Sequence, residues 1–466
     1  QAERAAAHAQ AAEHLAGALA LLPATAPERP RLLARLGLAL AWSLRTARAV
    51  ATAAEAAELL KRSEGRAAAA QYLADAADAV WSAAYSPRAS ELALLGLRWI
   101  GAARDRVWAR LVAHRAAAEQ AESAVPIGIH REFAEQREMS RILLEEPENF
   151  SSELWRHLIF DSRADVLERA ARIPIPVFQV FRAGVYLESL PQYRAHAERA
   201  QESGRTLLAA QLLAEISCIE SALGELRAAE SSCDRARLLA GESQRVESVA
   251  LFLAIAQGQL AVVRGEGLEH IAQGLTRLLG MGSREIEWRL GPLRAGAAAV
   301  RSLLGQRDTA LALLAGTRAA VENGPGWAPH YTTMIHYTCE AFWNLGMAPD
   351  FELEVHLRGK TLAPDFRCPH ADARLSLARL CALAGRFDEA EARFSEARRV
   401  LDEQGARPLR AMVDHDEARA LLRRDASGDR ARAHELLERA AAQFAAIGMS
   451  GWSRWAEDLR QRRVAP

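Results

Sequence analysis

Two stretches of this 466-residue chain hold residue types that could do chemistry. The first is the set His330, His336, Cys339, Cys368 and His370. Imidazole and thiolate are zinc ligands, and His336 and Cys339 stand three apart, one turn along a common helix face. The second is Arg358, Gly359, Lys360 and Thr361, which matches the end of a phosphate-binding loop. The first glycine of that loop would fall at Glu354, and no strand pattern precedes it. His434 and Glu435 open a zinc-protease-like helix whose second histidine is replaced by Glu438, and His130 and Glu132 are not adjacent as that motif requires. There is no serine-nucleophile elbow. Arginine pairs such as Arg398 with Arg399 and Arg423 with Arg424, and the run Arg460 to Arg463, would suit nucleic acid. They stand among Glu and Asp at neighbouring turns, the pattern of a salt-bridged solvent face. The expectation is a protein with no catalytic residues, no cofactor, no metal and no nucleic-acid contact through this segment.

Composition points the same way. Lys and Arg number 59 and Asp and Glu 59, so the formal net charge is zero and offers no footprint for nucleic acid or an anionic membrane. Half of the residues are hydrophobic, enough for packed structure, yet no run approaches the ~18 apolar residues of a membrane helix. Five widely spaced cysteines with no C-x-x-C pair read as reduced thiols in a cytoplasmic protein. Lys61 and Lys360 are the only lysines, and with the abundance of alanine this suggests a GC-rich bacterial source. The chain opens at Gln1 inside an amphipathic pattern, without an initiator Met or a signal peptide, and reads as a piece of a longer polypeptide.

The elements that would position any site come from a repeat. Gly184, Gly224, Gly265, Gly305, Gly346, Gly385 and Gly428 each end one helical pattern just before another begins, at spacings of 39–43 residues. Glycine takes the left-handed conformation that ends a helix without steric cost. The spacing leaves room for two helices and two short turns. Five residues after each glycine stand Ser189, Ala229, His270, Ala310, Phe351, Ala390 and Ala433. Seven before stand Val177, Ser217, Gly258, Ala298, Cys339, Ala378 and Leu421. Small side chains dominate both columns and allow paired helices to approach closely. Nine after, the column is Tyr193, Cys233, Gly274, Leu314, Val355, Phe394 and Leu437, apolar except at Gly274. Cys339 sits in a small-residue column, so packing accounts for it. His270 and Phe351 depart from theirs. Ahead of this array, helical patterns run over 1–22, 31–62, 66–84, 87–123, 130–146 and 153–172.

Gly385, Phe387, Ala390, Phe394 and Ala397 resemble the turn and second helix of a tetratricopeptide repeat. The stretches Asp416 to Leu422, Gly428 to Ala433 and Phe444 to Met449 are similar to the final, longer repeats in the regulatory arm of bacterial STAND-type signalling ATPases. The resemblance implies an all-α, right-handed superhelical solenoid of antiparallel helix pairs. It would comprise degenerate hairpins over 1–172, regular repeats over 173–449 and a capping helix over 450–466. In such arrays the first helix of each pair lines a concave groove, here carrying Phe178, Phe181, Gln211, Glu215, Gln259, His336, Glu340, Trp343, Asn344, Arg379 and His415. Trp327 joins them, because the stretch from Asn323 to Tyr331 breaks the repeat with turn residues next to His336. The implied function is a non-catalytic sensor or scaffold that holds a protein or peptide partner, or a small-molecule inducer, in that groove and regulates an attached ATPase or effector. The alternative is a free-standing adaptor between proteins. No membrane partner is expected.

Overall fold

The computed structural model describes residues 2–43, 45–84, 88–122, 138, 142, 185–202, 206–241, 247–281, 287–323, 329–355, 357 and 371–461. Among them lie nineteen helices and no strand, the all-helical array of pairs that the repeat requires. No helix among the described residues is long and apolar enough to cross a membrane. Contacts divide the chain into two compact units. One holds Gln1–Phe178, Gln192–Leu212 and Arg237–Val249, and the other Gln179–Pro191, Leu213–Ala236 and Ala250–Pro466.

The first unit contains α1 (Ala2–Leu21), α2 (Arg29–Trp42), α3 (Thr46–Ser63), α4 (Arg66–Ala84), α5 (Ala89–Ile100) and α6 (Arg106–Glu122). Each helix packs on the next, and α2 on α4, α3 on α5 and α4 on α6, as in a stack of hairpins. Ala49, Ala53, Ala56 and Ala57 are fully buried on α3, so its neighbours close to backbone distance around Leu40, Leu73 and Leu92. Gly37 is needed there: a Cβ would lie 2.6 Å from the Tyr72 hydroxyl, which donates to Ala34 O at 3.1 Å. The patterns over 31–62 and 87–123 are each broken into two helices. Gly101, at φ +66°, ends α5, and Ser43, whose N–H reaches Ala39 O, ends α2.

Four helices contribute to both units: α7 (Val185–Glu202), α8 (Thr206–Leu223), α9 (Leu226–Ala240) and α10 (Glu247–Arg264). The second unit continues with α11 (Leu268–Met281), α12 (Glu287–Leu303), α13 (Arg307–Asn323), α14 (Pro329–Leu345), α15 (Ala373–Leu383), α16 (Phe387–Glu403), α17 (Arg407–Arg424), α18 (Asp429–Ile447) and α19 (Ser450–Gln461). Hairpin partners pack together, and first helices stack on first helices, α12 on α14 and α15 on α17. Gly224, Gly265, Gly305, Gly346, Gly385 and Gly428 all take positive φ, between +68° and +85°, and Gly184 lies outside the described residues. Ala229, Ala310, Ala390 and Ala433 are fully buried, and so are Ser217, Ala298, Cys339 and Ala378 from the other small column.

The two departures have physical causes. After Gly265 the turn is one residue longer than after Gly224, Gly305 and Gly385, with Gly267 also at positive φ, so α11 starts late. Ala272, fully buried, takes the packing place, and His270 is exposed. After Gly346 the chain does not re-enter a helix at once. Val355 is exposed, and Leu353 and Leu357 turn inward instead.

Candidate functional site

The first helices of the second unit turn one face to a common interior. A small cavity there, about 30 Å³, is lined by Gln259 and Val262 on α10, Tyr337 and Glu340 on α14, Arg379 on α15, and Pro408, Leu409 and Met412 on α17. Helix stacking alone would fill such a face with Leu and Ala. Instead it carries charge. Arg379 donates from Nε to Asp416 Oδ2 at 2.7 Å, and its Nη2 lies 2.6 Å from the same oxygen, with both side chains nearly inaccessible. His415 Nδ1 lies 3.1 Å from Asp416 Oδ1. The guanidinium of Arg419 sits 4.6 Å from the centre of the Trp343 ring and donates to Trp343 O at 3.2 Å.

The electrostatics follow from burial and neighbours. Burial alone would raise the Asp416 carboxyl, but Arg379, His415 and Arg419 outweigh it and hold the group far below the usual carboxylate range. Glu340 has the opposite fate. Burial raises its pKa and nearby Asp416 adds to that, with only Arg379 opposing. Burial also lowers His415, so the imidazole is held in its neutral form. Burial lowers Arg419 and raises the Cys339 thiol.

The other expected groove residues are distributed as follows. His336 is buried, with Nδ1 2.7 Å from Ser376 Oγ. Asn344 Nδ2 donates to Ser302 Oγ at 3.1 Å, and Gln259 Nε2 donates to Cys218 O at 3.0 Å. Gln211 and Gln259 are buried, and Glu215 is half-buried. Gln211 belongs to the first unit and is not part of this interior. Phe178, Phe181 and Trp327 lie outside the described residues. The structure thus brings Gln259, Glu340, Arg379 and His415 together around one interior, with Trp343 beside it. Asp416, Arg419 and Tyr337 belong to the same group and escaped the sequence reading. A signal was present: Asp416 follows Arg379 by 37 residues and Arg379 follows Glu340 by 39, so charges alternate in sign one repeat apart.

Of the residues weighed as zinc ligands, Cys368 and His370 lie outside the described residues, and Cys339 is fully buried at the packing position. Elsewhere, Glu354, Cys381 and Glu389 place potential ligand atoms within 4.8 Å of one another. Arg386 donates to Glu354 at 2.5 Å and to Glu389 at 2.8 Å, so a guanidinium already supplies the positive charge that a metal would bring to those carboxylates. The C-terminal arginines are also engaged. Asp414 accepts from Arg398 and Arg439, and Arg410 lies 3.0 Å away. Arg399 pairs with Glu403, Arg424 with Asp429, and Arg460 with Glu457.

No family model and no curated protein matches this chain. Among solved structures, it is similar to one described as a Rap protein complexed with competence and sporulation factor. That match is 9% identical, covers 84% of this chain and 96% of the other, and has a TM-score of 0.41.

Proposed function

We propose that the second unit is a non-catalytic binding arm that takes an extended polypeptide segment of a partner against its interior face and regulates an attached effector, such as an ATPase. The observation that carries this reading is the Glu340, Arg379, Asp416 and Arg419 group on the first helices. Buried ion pairs are seldom more stable than apolar residues of the same volume. A face that only had to stack would do better without them. Gln259, Tyr337 and Trp343 add amide, phenol and indole surface beside the charges, a mixture suited to peptide backbone and polar side chains. Regulation then follows from differential affinity. A partner that binds one arrangement of the array better than another shifts the population between them.

The test is selection of a displayed library of seven-residue peptides on the full chain, followed by titration of selected peptides into Glu340→Ala and Trp343→Ala variants. Binding weakened at least tenfold by either substitution is expected. Selected peptides that bind both variants with the parent's affinity would remove the interior face from the function.

A further inference from the structure

In an array of repeats, each repeat touches its neighbours along the chain. The second unit does something more: its last helices return to its first turns. Arg407, at the start of α17, donates from Nε to Leu223 O at 2.8 Å and pairs with Glu225. Trp452 on α19 donates from Nε1 to Val262 O at 2.7 Å. Arg454 pairs with Glu266 at 3.2 Å. These contacts join residues 182–190 apart, several repeats away. At the centre of the join two backbones meet, where a Cβ on Gly451 would lie 2.1 Å from Gly265 O.

The chemistry of the join differs from that of the stack. Leu223 O and Val262 O belong to the last turns of α8 and α10, and Val262 O also accepts from Gly265 N at 3.2 Å. Water can satisfy such carbonyls when the donors leave, and the two ion pairs are exposed, so both contribute little. Within the stack, by contrast, α15 to α18 bury Phe394 and Phe444 completely and hold Asp414 among three arginines. Leu226, Leu260 and Val263 also share a core with Leu409, Met449 and Trp452, so the join has an apolar part, and its polar contacts are the part that water can replace.

Opening there has a use. The interior cavity of about 30 Å³ has room for one water molecule, against the 300–1,000 Å³ of ordinary ligand pockets. We propose that α17 to α19 form a strap that holds the interior face closed, and that the partner segment gains access when the strap parts from the turns at Gly224 and Gly265. This deepens the binding reading above and rests on it for its purpose, but the strap itself can be tested without any ligand.

Gly451→Ala is the wedge. Gly451 has ordinary helical geometry within α19, so alanine suits the helix itself, yet its methyl group meets the Gly265 backbone. The access probe is a cysteine at the cavity wall, Gln259→Cys, alkylated with N-ethylmaleimide in the full chain and read peptide by peptide by mass spectrometry. Slow labelling is expected with Gly451 intact and labelling at least tenfold faster with Gly451→Ala, at unchanged helical content. If Gly451→Ala does not fold, Glu225→Arg replaces it, since it sets two arginines against each other at exposed positions. Faster labelling is expected, and adding Arg407→Glu should return it to the slow rate. Equal rates with and without the wedge or the charge reversal would overturn the proposal. So would labelling in the unaltered strap as fast as at an exposed cysteine. A closed strap combined with peptides indifferent to Glu340 and Trp343 would count against the binding reading alone.

Discussion

Replacing Arg379 by Met tests whether the interior charges are held away from water. Methionine keeps the apolar bulk of the arginine stem but removes both guanidinium contacts to Asp416, whose side chain is only 1% exposed. Asp416 would keep the His415 ring at 3.1 Å and the Arg419 guanidinium at 3.9 Å. Breaking a buried pair from one side costs about 3–5 kcal/mol. With Arg419 still near, the lower end applies, about 3 kcal/mol. For a cooperative unit of this size, each kcal/mol moves the melting temperature by roughly 2–4 °C. A fall of about 6–12 °C in the calorimetric transition of the full chain is therefore expected. The double change Arg379→Met with Asp416→Leu removes both charges and should recover most of that loss, because an apolar pair of similar volume is about as stable as the ion pair. A single variant that loses less than about 1 kcal/mol would mean that Asp416 reaches water or another cation. A double variant no better than the single would mean that the site needs the shape of Arg379, not its charge. Either result would refute the electrostatic account of the interior.

Three further outcomes are expected. Glu340 has a pKa raised by burial, so the folded state keeps its proton after the unfolded chain has released it, and stability falls as pH rises from 4.5 through the raised value. Glu340→Gln removes that loss. Its melting temperature should exceed the parent's at pH 7 and converge with it near pH 4, and a constant difference across that range would contradict the assignment. Phe394→Ala leaves a hole beneath a fully buried ring and should cost about 3–5 kcal/mol by urea denaturation, whereas a loss under about 1 kcal/mol would deny that the α15–α16 pair is packed as described. Gly385→Ala meets nothing within 4 Å of the new Cβ, so it isolates the φ of +77° and should cost about 1–2 kcal/mol; no change would mean that the turn can take another conformation.

Most of the fold was legible because one physical rule repeats. A helix that must stop and reverse needs a residue free to take positive φ, and all six described turn glycines do so. The small columns were legible for a similar reason, since helices cannot approach over large side chains and Ala229, Ala310 and Ala390 leave no exposed surface. His270 and Phe351 misled because a fixed count from the glycine assumes a turn of fixed length. One added turn residue after Gly265 delays α11, and Ala272 is the small residue buried there. On the interior face, register gave Glu340, Arg379 and His415 as groove residues, but their depth of burial was not in the pattern. For Glu340 and Arg379 it comes from α17 packing beside them, and for His415 from the rings of Phe444 and Trp452, and nothing local to Arg407 or Trp452 says that they meet Leu223 and Val262. The Trp452 ring packs on Phe444 and Trp455. The contact of its indole N–H is a long-range fact that no window of sequence holds.

The buried charges and the join bear on each other. Closed, the interior keeps Glu340 and Asp416 away from water, with Arg379 and Arg419 as their counter-charges. Opening returns these groups to water, and the hydration they recover offsets part of the free energy needed to part the join. The closed state is thus less favoured than an apolar interior would make it, and the energy difference that a partner must supply is smaller. A two-state element responds to a ligand only when that difference lies within the ligand's differential affinity. Replacing Glu340, Arg379 and Asp416 together by apolar residues of similar volume should therefore stabilise the chain and also suppress cavity labelling in the Gly451→Ala background. Stability raised with labelling unchanged would separate the charges from the opening.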